Sequence, residues 1–230
     1  MIIRIGLENN FEGRSLAWAL DFPGAFAYGE DGSAAMLALP RALVQYENWA
    51  NQHAGEVRLE LGDFDLRLVE TWQVYTIDRD FQDAAEGYEV NAFFRDDWRP
   101  LGEEEIRHGL NLLAWSRADL LAVTGELPAE KLDAAYPGER WGIRGILKHL
   151  AVAEWWYLDR LGLAQPRGNL PRDTFERLAA VRARLREVLP TLAGAKTVLG
   201  VDGEFWSPRK LLRRALWHEM DHIAHIIRLL

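Results

Sequence analysis

The chain has 230 residues, of which 49% are hydrophobic and 27% charged, and its formal net charge is -8. This composition is typical of a globular protein, and the acidic balance argues against nucleic-acid binding, which normally requires a basic face. No apolar run approaches the roughly 20 residues that cross a bilayer, and the first residues lack the order of a signal peptide. We therefore expect a cytoplasmic protein with no nucleic-acid or membrane partner.

The first part of the chain alternates apolar and polar residues, as half-buried strands do. The segments with this pattern are 2–7, 15–21, 57–61, 64–75 and 88–93. The pair Gly62-Asp63 fits a tight hairpin turn between two of them. Residues 33–49 have a helical pattern that Pro40 should kink or divide. The sequence predicts an α+β domain over residues 1–97, with a small antiparallel sheet and a helix.

After residue 98 the apolar period changes to 3.6 residues, which predicts helices near 103–125, 142–163, 173–193 and 208–230. Asp173 with Glu176 has the pattern of a capping box, and Ser207 followed by Pro208 that of an N-cap with proline in the first turn. Amphipathic helices joined by turn-rich segments indicate an all-α four-helix bundle over residues 98–230.

Histidines are the most informative residues of the predicted bundle. His222 lies about 40° around the last helix from His218, so both imidazoles can point at one ion. His149 lies about 11 Å along its own helix and His218 about 15 Å along the last one, so their depths agree if both helices start at the same end. The chain has no cysteine, and a divalent ion normally takes at least three protein ligands. We therefore predict a metal site formed by His149, His218 and His222.

The last helix also carries candidates for a catalytic role. Asp221 could accept a hydrogen bond from the second N–H of a ligand imidazole. His225 could be a fourth ligand, a proton shuttle, or an outer residue that does not bind the ion. Glu219, like Glu154 on the second helix, falls near the middle of an apolar arc, where a carboxylate needs a partner such as an arginine or a place at a helix or subunit interface.

A family resemblance covers about residues 95–230. The pattern W-x-I-R-x-I-L-x-H-L-x-x-x-E-x-W at 141–156, together with His218-Glu-x-x-His222, resembles the DinB/YfiT-like superfamily of metal-binding four-helix bundles. The resemblance implies that His149, His218 and His222 bind a divalent ion, zinc or nickel, with open positions for water. It also implies a thiol S-transferase or other thiol-dependent activity on a small thiol, and a homodimer. The family motif commonly continues with Arg-Gly-Gln, whereas Ile-Ala-His follows here.

The first domain has a resemblance of its own. Residues 15–39, with the turn Pro23-Gly24, look like the strand, turn, strand and helix of HicB-like domains, which bind partners in toxin–antitoxin systems. The same residues fit a plain β-hairpin leading into a helix nearly as well. No toxin partner follows from this resemblance.

The sequence is compatible with three functions. The first is a metal-dependent enzyme, a thiol S-transferase or a hydrolase, that acts on a small thiol or another small molecule. The alternative is a non-catalytic protein-binding or dimerisation module whose metal is structural, with every coordination position filled, or absent. The third is a zinc metallopeptidase, because His218-Glu219-x-x-His222 fits the HExxH motif in which the glutamate is the general base.

Overall fold

The computed structural model describes residues 1–55 and 58–230. They form two compact units, Met1–Arg99 with Val198–Lys210, and Pro100–Thr197 with Leu211–Leu230. Residues 198–210 thus belong to the first unit although they follow most of the second in the chain. The domains 1–97 and 98–230 that the sequence suggests stay a prediction.

The first unit contains a four-stranded sheet, one long helix and two short hairpins. The sheet strands are β1 (Ile2–Phe11), β2 (Arg14–Ala19), β3 (Phe26–Gly29) and β4 (Asp65–Gln73). Their order in the sheet is β3-β2-β1-β4. Helix α1 (Gly32–His53) packs on β2 and β3. The hairpins pair β5 (Tyr75–Ile77) with β6 (Tyr88–Val90), and β7 (Leu199–Val201) with β8 (Glu204–Trp206).

The sheet is mixed, so the prediction of an antiparallel sheet is wrong for one pairing. Strand β1 runs antiparallel to β2 but parallel to β4. Antiparallel neighbours can be joined by a tight turn, whereas parallel neighbours need a longer crossover. Helix α1 lies between β3 and β4 in the chain and provides that length. The alternation of side chains predicts the strands but carries no information about this crossover.

The predicted hairpin at Gly62-Asp63 is also wrong. Val57 lies outside the described residues, and residues 58–61 form no strand. Side chains of α1 bind this backbone instead. The Asn51 amide accepts a hydrogen bond from the Leu59 N–H at 2.7 Å and donates one to its carbonyl at 2.8 Å, and Glu47 accepts one from the Leu61 N–H at 2.7 Å. The helix therefore satisfies the polar groups that a partner strand would have paired.

Pro40 does not divide α1, so the division, one of two possibilities predicted from the sequence, is wrong, and the kink stays a prediction. The helix runs without interruption from Gly32 to His53, and Asp31 caps it by accepting a hydrogen bond from the Ala34 N–H at 2.8 Å. Pro40 lies on the exposed face. The carbonyl that loses its helical partner there can be hydrated, so the ring is tolerated.

The second unit is helical, as predicted. Its elements are α2 (Glu103–Thr124), the single turn α3 (Ala129–Leu132), α4 (Ile143–Asp159), α5 (Thr174–Val188) and most of α6 (Pro208–Leu229). Side chains of α2, α4, α5 and α6 share one apolar core, which includes Leu120, Leu147, Leu178 and Ile226. That these helices form the bundle of the DinB/YfiT-like family stays a prediction.

The helix caps follow the sequence. Asp173 accepts hydrogen bonds from the N–H groups of Phe175 and Glu176 at 2.9 and 3.0 Å, and Ser207 accepts one from the N–H of Lys210 at 3.2 Å. Both are the N-caps that the sequence predicts. Within the part of the chain that the structure describes, no helix combines the length and apolar character needed to cross a bilayer.

Candidate metal centre

Two helices of the second unit supply a cluster of three histidines. Helix α6 carries His218 and His222, four residues apart and therefore on one face. Helix α4 carries His149, and one ligand nitrogen from each of the three residues lies within 4.8 Å of the other two. The structure thus brings together the three residues that the sequence predicts as metal ligands. His53 and His108, to which the sequence assigns no role, are not members of this cluster.

The distances within the cluster fit a shared ion. Nε2 of His218 is 3.0 Å from Nε2 of His149 and 3.1 Å from Nε2 of His222. Imidazole nitrogens bind zinc at about 2.0–2.1 Å, so two of them on one ion at angles between 90° and 110° are about 2.8–3.4 Å apart. The two short separations therefore fit nitrogens that share a divalent ion, and the third, between His149 and His222, is at most 4.8 Å.

Hydrogen bonds among the three imidazole rings explain the short Nε2–Nε2 distances less well than a shared metal ion does. A neutral imidazole nitrogen is either a donor or an acceptor. Nε2 of His218 has two nitrogen neighbours, but it has only one proton to donate or one lone pair to share. Nδ1 of His222 is buried without a hydrogen-bond partner among the described residues. An ion bound to the Nε2 atoms would account for their close approach.

The surroundings keep the three imidazoles neutral. Burial, followed by the neighbouring imidazoles, holds the pKa of His218 well below its ordinary value. Burial and the nearby imidazoles lower the pKa of His222 to about 3. Burial and the charge of Arg140 lower the pKa of His149. Since metal binding requires the unprotonated nitrogen, protons compete weakly for this site at neutral pH.

The segment before α4 forms part of the wall of the site. The Trp141 ring lies 5.0 Å from the His149 ring, centroid to centroid, at an interplanar angle of 32°. The guanidinium of Arg140 lies 4.6 Å from the centroid of the Trp141 ring. Trp141 is 36% exposed, while His218 is buried and His149 and His222 are half-buried. The cluster therefore lies near the surface of the second unit rather than deep in its core.

His225 lies outside the cluster of three. Its Nε2 is 3.0 Å from Oε2 of Glu139, a residue of the same segment before α4. The His222 and His225 rings are stacked with their centroids 6.0 Å apart. Glu139 is a site neighbour that the sequence did not indicate, because a single carboxylate in a loop gives no periodic signal. Asp221 is half-buried and is likewise not one of the clustered residues.

Glu219 and Glu154 have the arginine partners that the sequence predicts. Nη2 of Arg117 is 2.7 Å from a carboxylate oxygen of Glu219 and 3.2 Å from one of Glu154. Nη2 of Arg182 is 2.7 Å from Glu154 and 3.0 Å from Glu219. Arg117 and Arg182 were not identified from the sequence, although both occupy buried positions in the apolar stripes of their helices.

This pairing bears on the metallopeptidase hypothesis. Glu219 is 2% exposed, and its carboxylate accepts hydrogen bonds from Ser116 at 2.6 Å and from Nε of Arg117 at 2.8 Å. Burial alone would raise the pKa of Glu219, but the charges of Arg182 and Arg117 lower it below its ordinary value. A general base must reach the proton that it removes. The Glu219 carboxylate is instead directed into the core between the helices, so the geometry disfavours the metallopeptidase hypothesis.

Comparison with known proteins gives one match. The family model described as the DinB superfamily matches residues 112–226, half of the chain, and this range includes His149, His218 and His222. No curated protein and no solved structure matches. The match does not reach the first strands and α1, where the HicB-like resemblance stays a prediction. Members of this superfamily generally bind metal ions, in agreement with the histidine cluster. The chain belongs to the DinB superfamily.

Proposed function

We propose that the protein is a metal-dependent enzyme in which His149, His218 and His222 bind Zn²⁺ or Ni²⁺, and that it catalyses thiol S-transfer or, less in keeping with the family, a hydrolysis. The observation that carries this proposal is the approach of three neutral imidazole Nε2 atoms from two helices, two of the separations being 3.0 and 3.1 Å. Family membership supports the metal, since DinB proteins bind divalent ions.

The number of ligands favours catalysis over a purely structural role. Structural zinc sites normally have four protein ligands, whereas catalytic sites have three and keep a position for water or substrate. Three histidines form this cluster, and His225 is bonded to Glu139 instead. A divalent ion held here would supply Lewis acidity, which lowers the pKa of a water or thiol substrate. The half-buried His149 and His222 leave one side of the cluster close to solvent.

The chain's own residues would hold the ion and orient the substrate. The protein has no cysteine, so the thiol must arrive as a small-molecule substrate. In the transfer, the thiol loses its proton to solvent, its sulfur forms a bond to an electrophilic carbon of the second substrate, and the bond from that carbon to its leaving group breaks. Trp141 would shape the approach to His149, on which its ring packs.

The test begins with metal content. Protein purified without a metal-affinity tag would be analysed for transition metals beside His149→Ala, His218→Ala and His222→Ala, with His108→Ala on α2 as the matched control. We expect about one equivalent of metal in the wild type and in the control, and none in the three cluster variants. The loaded protein would then be assayed with small thiols and electrophilic acceptors, and with ester and amide substrates.

Three results would contradict the proposal. A wild-type protein that takes up no zinc or nickel after dialysis would leave the histidines as polar residues of a helical core. Activity that is unchanged in the metal-free His149→Ala variant would remove the metal from the reaction. A protein that binds metal but acts on none of the thiol, ester and amide substrates would instead favour the non-catalytic binding module.

A further inference from the structure

A cluster of four charged side chains lies in the core of the second unit. Arg117 comes from α2, Glu154 from α4, Arg182 from α5 and Glu219 from α6. Their exposed fractions lie between 2% and 9%. The two positive and two negative charges cancel, so the cluster is neutral as a whole. We call these four residues the buried charge cluster.

The contacts within the buried charge cluster are directional. Arg182 binds Glu154 in a fork, with Nε 2.9 Å from Oε1 and Nη2 2.7 Å from Oε2. Arg117 reaches both carboxylates, and Ser116 donates to Glu219 at 2.6 Å. Bidentate arginine–carboxylate pairs fix the relative orientation of their partners as well as their distance. Each carboxylate is therefore constrained by donors on two other helices.

The remaining guanidinium N–H groups bind the backbone. Nη1 of Arg117 donates to the carbonyl of Leu178 on α5 at 2.7 Å, and Nη1 of Arg182 donates to the carbonyl of Leu113 on α2. Each arginine thus ties α2 to α5 through the backbone while its other nitrogens bind carboxylates on α4 and α6. Helices α2 and α5, which carry no ligand histidine, are thus bound to each other. Helices α4 and α6, which carry the ligand histidines, are bound to both.

Stability is a poor explanation for such a cluster. Removing four charges from water is costly, and replacing a buried ion-pair group by apolar side chains of similar volume is often neutral or stabilising. What apolar packing lacks is angular specificity, because a dispersion contact depends little on the direction of approach, whereas a bidentate arginine–carboxylate pair fixes that direction. The cluster therefore has its main effect on how α4 and α6 are oriented.

The carboxylates lie on the same helices as the ligands. Glu219 directly follows His218, and consecutive side chains on a helix diverge by 100°. The direction in which Glu219 points consequently fixes the direction in which His218 points. Glu154 lies on α4 five residues after His149 and restricts that helix in the same way. Rotation or sliding of either helix would separate the Nε2 atoms of His149 and His218, which are 3.0 Å apart.

We propose that the buried charge cluster of Arg117, Glu154, Arg182 and Glu219 is a positioning device that holds α4 and α6 in the orientation required for metal binding by His149 and His218. This inference rests on the proposed metal site. In this proposal Glu219 aligns α6, the helix that carries two of the ligand histidines. Arg117 and Arg182 share this role.

The test uses Co²⁺ as the probe, since its affinity and its visible absorption both report ligand geometry. Glu219→Gln and Arg182→Gln form the decisive pair because they change the local charge in opposite directions. If the cluster acts through charge alone, the glutamate variant binds Co²⁺ more weakly and the arginine variant more tightly. If it positions the helices, both variants bind at least tenfold more weakly and both alter the absorption spectrum.

A control separates positioning from loss of stability. Leu185→Ala removes a fully buried apolar side chain from α5, which carries neither a ligand nor a cluster carboxylate. We expect its unfolding midpoint to fall at least as far as that of Arg182→Gln, while its Co²⁺ affinity stays within twofold of wild type. An equal loss of affinity in Leu185→Ala would overturn the proposal.

A neutral replacement keeps the proposal testable if the single variants fail to fold. The combined variant R117M/E154L/R182M/E219L removes the cluster without changing net charge. We expect it to fold with a wild-type or higher unfolding midpoint and to bind Co²⁺ at least tenfold more weakly. Wild-type affinity and spectrum in this variant would overturn the positioning role alone, whereas a wild-type protein that does not bind Co²⁺ would overturn the metal site as well.

Discussion

Nε2 of His218 lies 3.0 Å from Nε2 of His149, although 69 positions separate the two residues in the chain. The contact joins α6 to α4 within the second unit. An ion bound at both nitrogens would cross-link two helices that the unfolded chain does not hold together. Metal binding should therefore be coupled to folding of this unit.

Metal loading should stabilise the protein. At a free Zn²⁺ concentration about 100 times its Kd, we expect the free energy of unfolding to rise by about 2.7 kcal/mol, because the ion binds the folded chain only. Urea unfolding with and without zinc measures this difference. His149→Ala should lose the increase and His108→Ala should keep it. An equal increase in His149→Ala would show that zinc binds elsewhere.

The metal-free protein should lose stability as the pH falls below neutral. The pKa of His222 is lowered from 6.5 to about 3 in the folded protein. Between these values the unfolded chain takes up a proton that the folded chain does not, so stability falls with pH by up to about 1.4 kcal/mol per unit for this residue. Above pH 6.5 the contribution is constant. Urea midpoints at pH 7.5 and 5.5, measured in the presence of a chelator, would show the fall.

His222→Gln provides the comparison for that experiment. Glutamine does not titrate, so the variant should lose less stability than wild type between pH 7.5 and 5.5. His218 remains and has a lowered pKa of its own, so part of the pH dependence should persist. Identical changes in the wild type and His222→Gln would contradict the assignment of this effect to His222.

The histidine cluster was predictable because it depends on local geometry. The spacing of His218 and His222 fixes their common face, and the depth of His149 along its helix adds the third residue. The direction of β4 was not predictable, since it depends on how α1 crosses the sheet. The arginine partners of Glu154 and Glu219 could have been found, because Arg117 and Arg182 interrupt apolar stripes. Glu139 could not have been found from the sequence, because its contact with His225 depends on the path of a loop.

Ser116 should contribute measurably to the stability of the second unit. Its hydroxyl is fully buried and donates to the Glu219 carboxylate at 2.6 Å. Ser116→Ala removes a hydrogen bond to a buried charged group, so we expect a loss of about 1.5–3 kcal/mol in the free energy of unfolding. Urea unfolding measures it, with the exposed Ser33→Ala on α1 as control. A loss below about 0.5 kcal/mol would indicate that the arginines alone satisfy Glu219.

Trp141 should affect metal affinity through His149. Its ring lies 5.0 Å from the His149 ring and limits how far that imidazole can turn. We expect Trp141→Ala to weaken Zn²⁺ binding by about tenfold. This is the lower end of the loss in metal affinity that follows removal of a residue that orients a metal ligand. Trp141→Phe keeps an aromatic ring in place and should lose less. Competition with a chromophoric chelator measures both affinities.

Gly145 offers an independent way to displace the same ring. A Cβ atom at this position would lie 2.7 Å from Cβ and 3.1 Å from Cγ of Trp141, so Gly145→Ala must shift residue 141 itself and the indole with it. Gly145 lies inside α4, where glycine-to-alanine replacement otherwise favours the helix by about 1 kcal/mol. We therefore expect the helical content to be retained or increased while Zn²⁺ affinity falls in the same direction as in Trp141→Ala. Wild-type affinity in both variants would show that Trp141 covers the site without orienting His149.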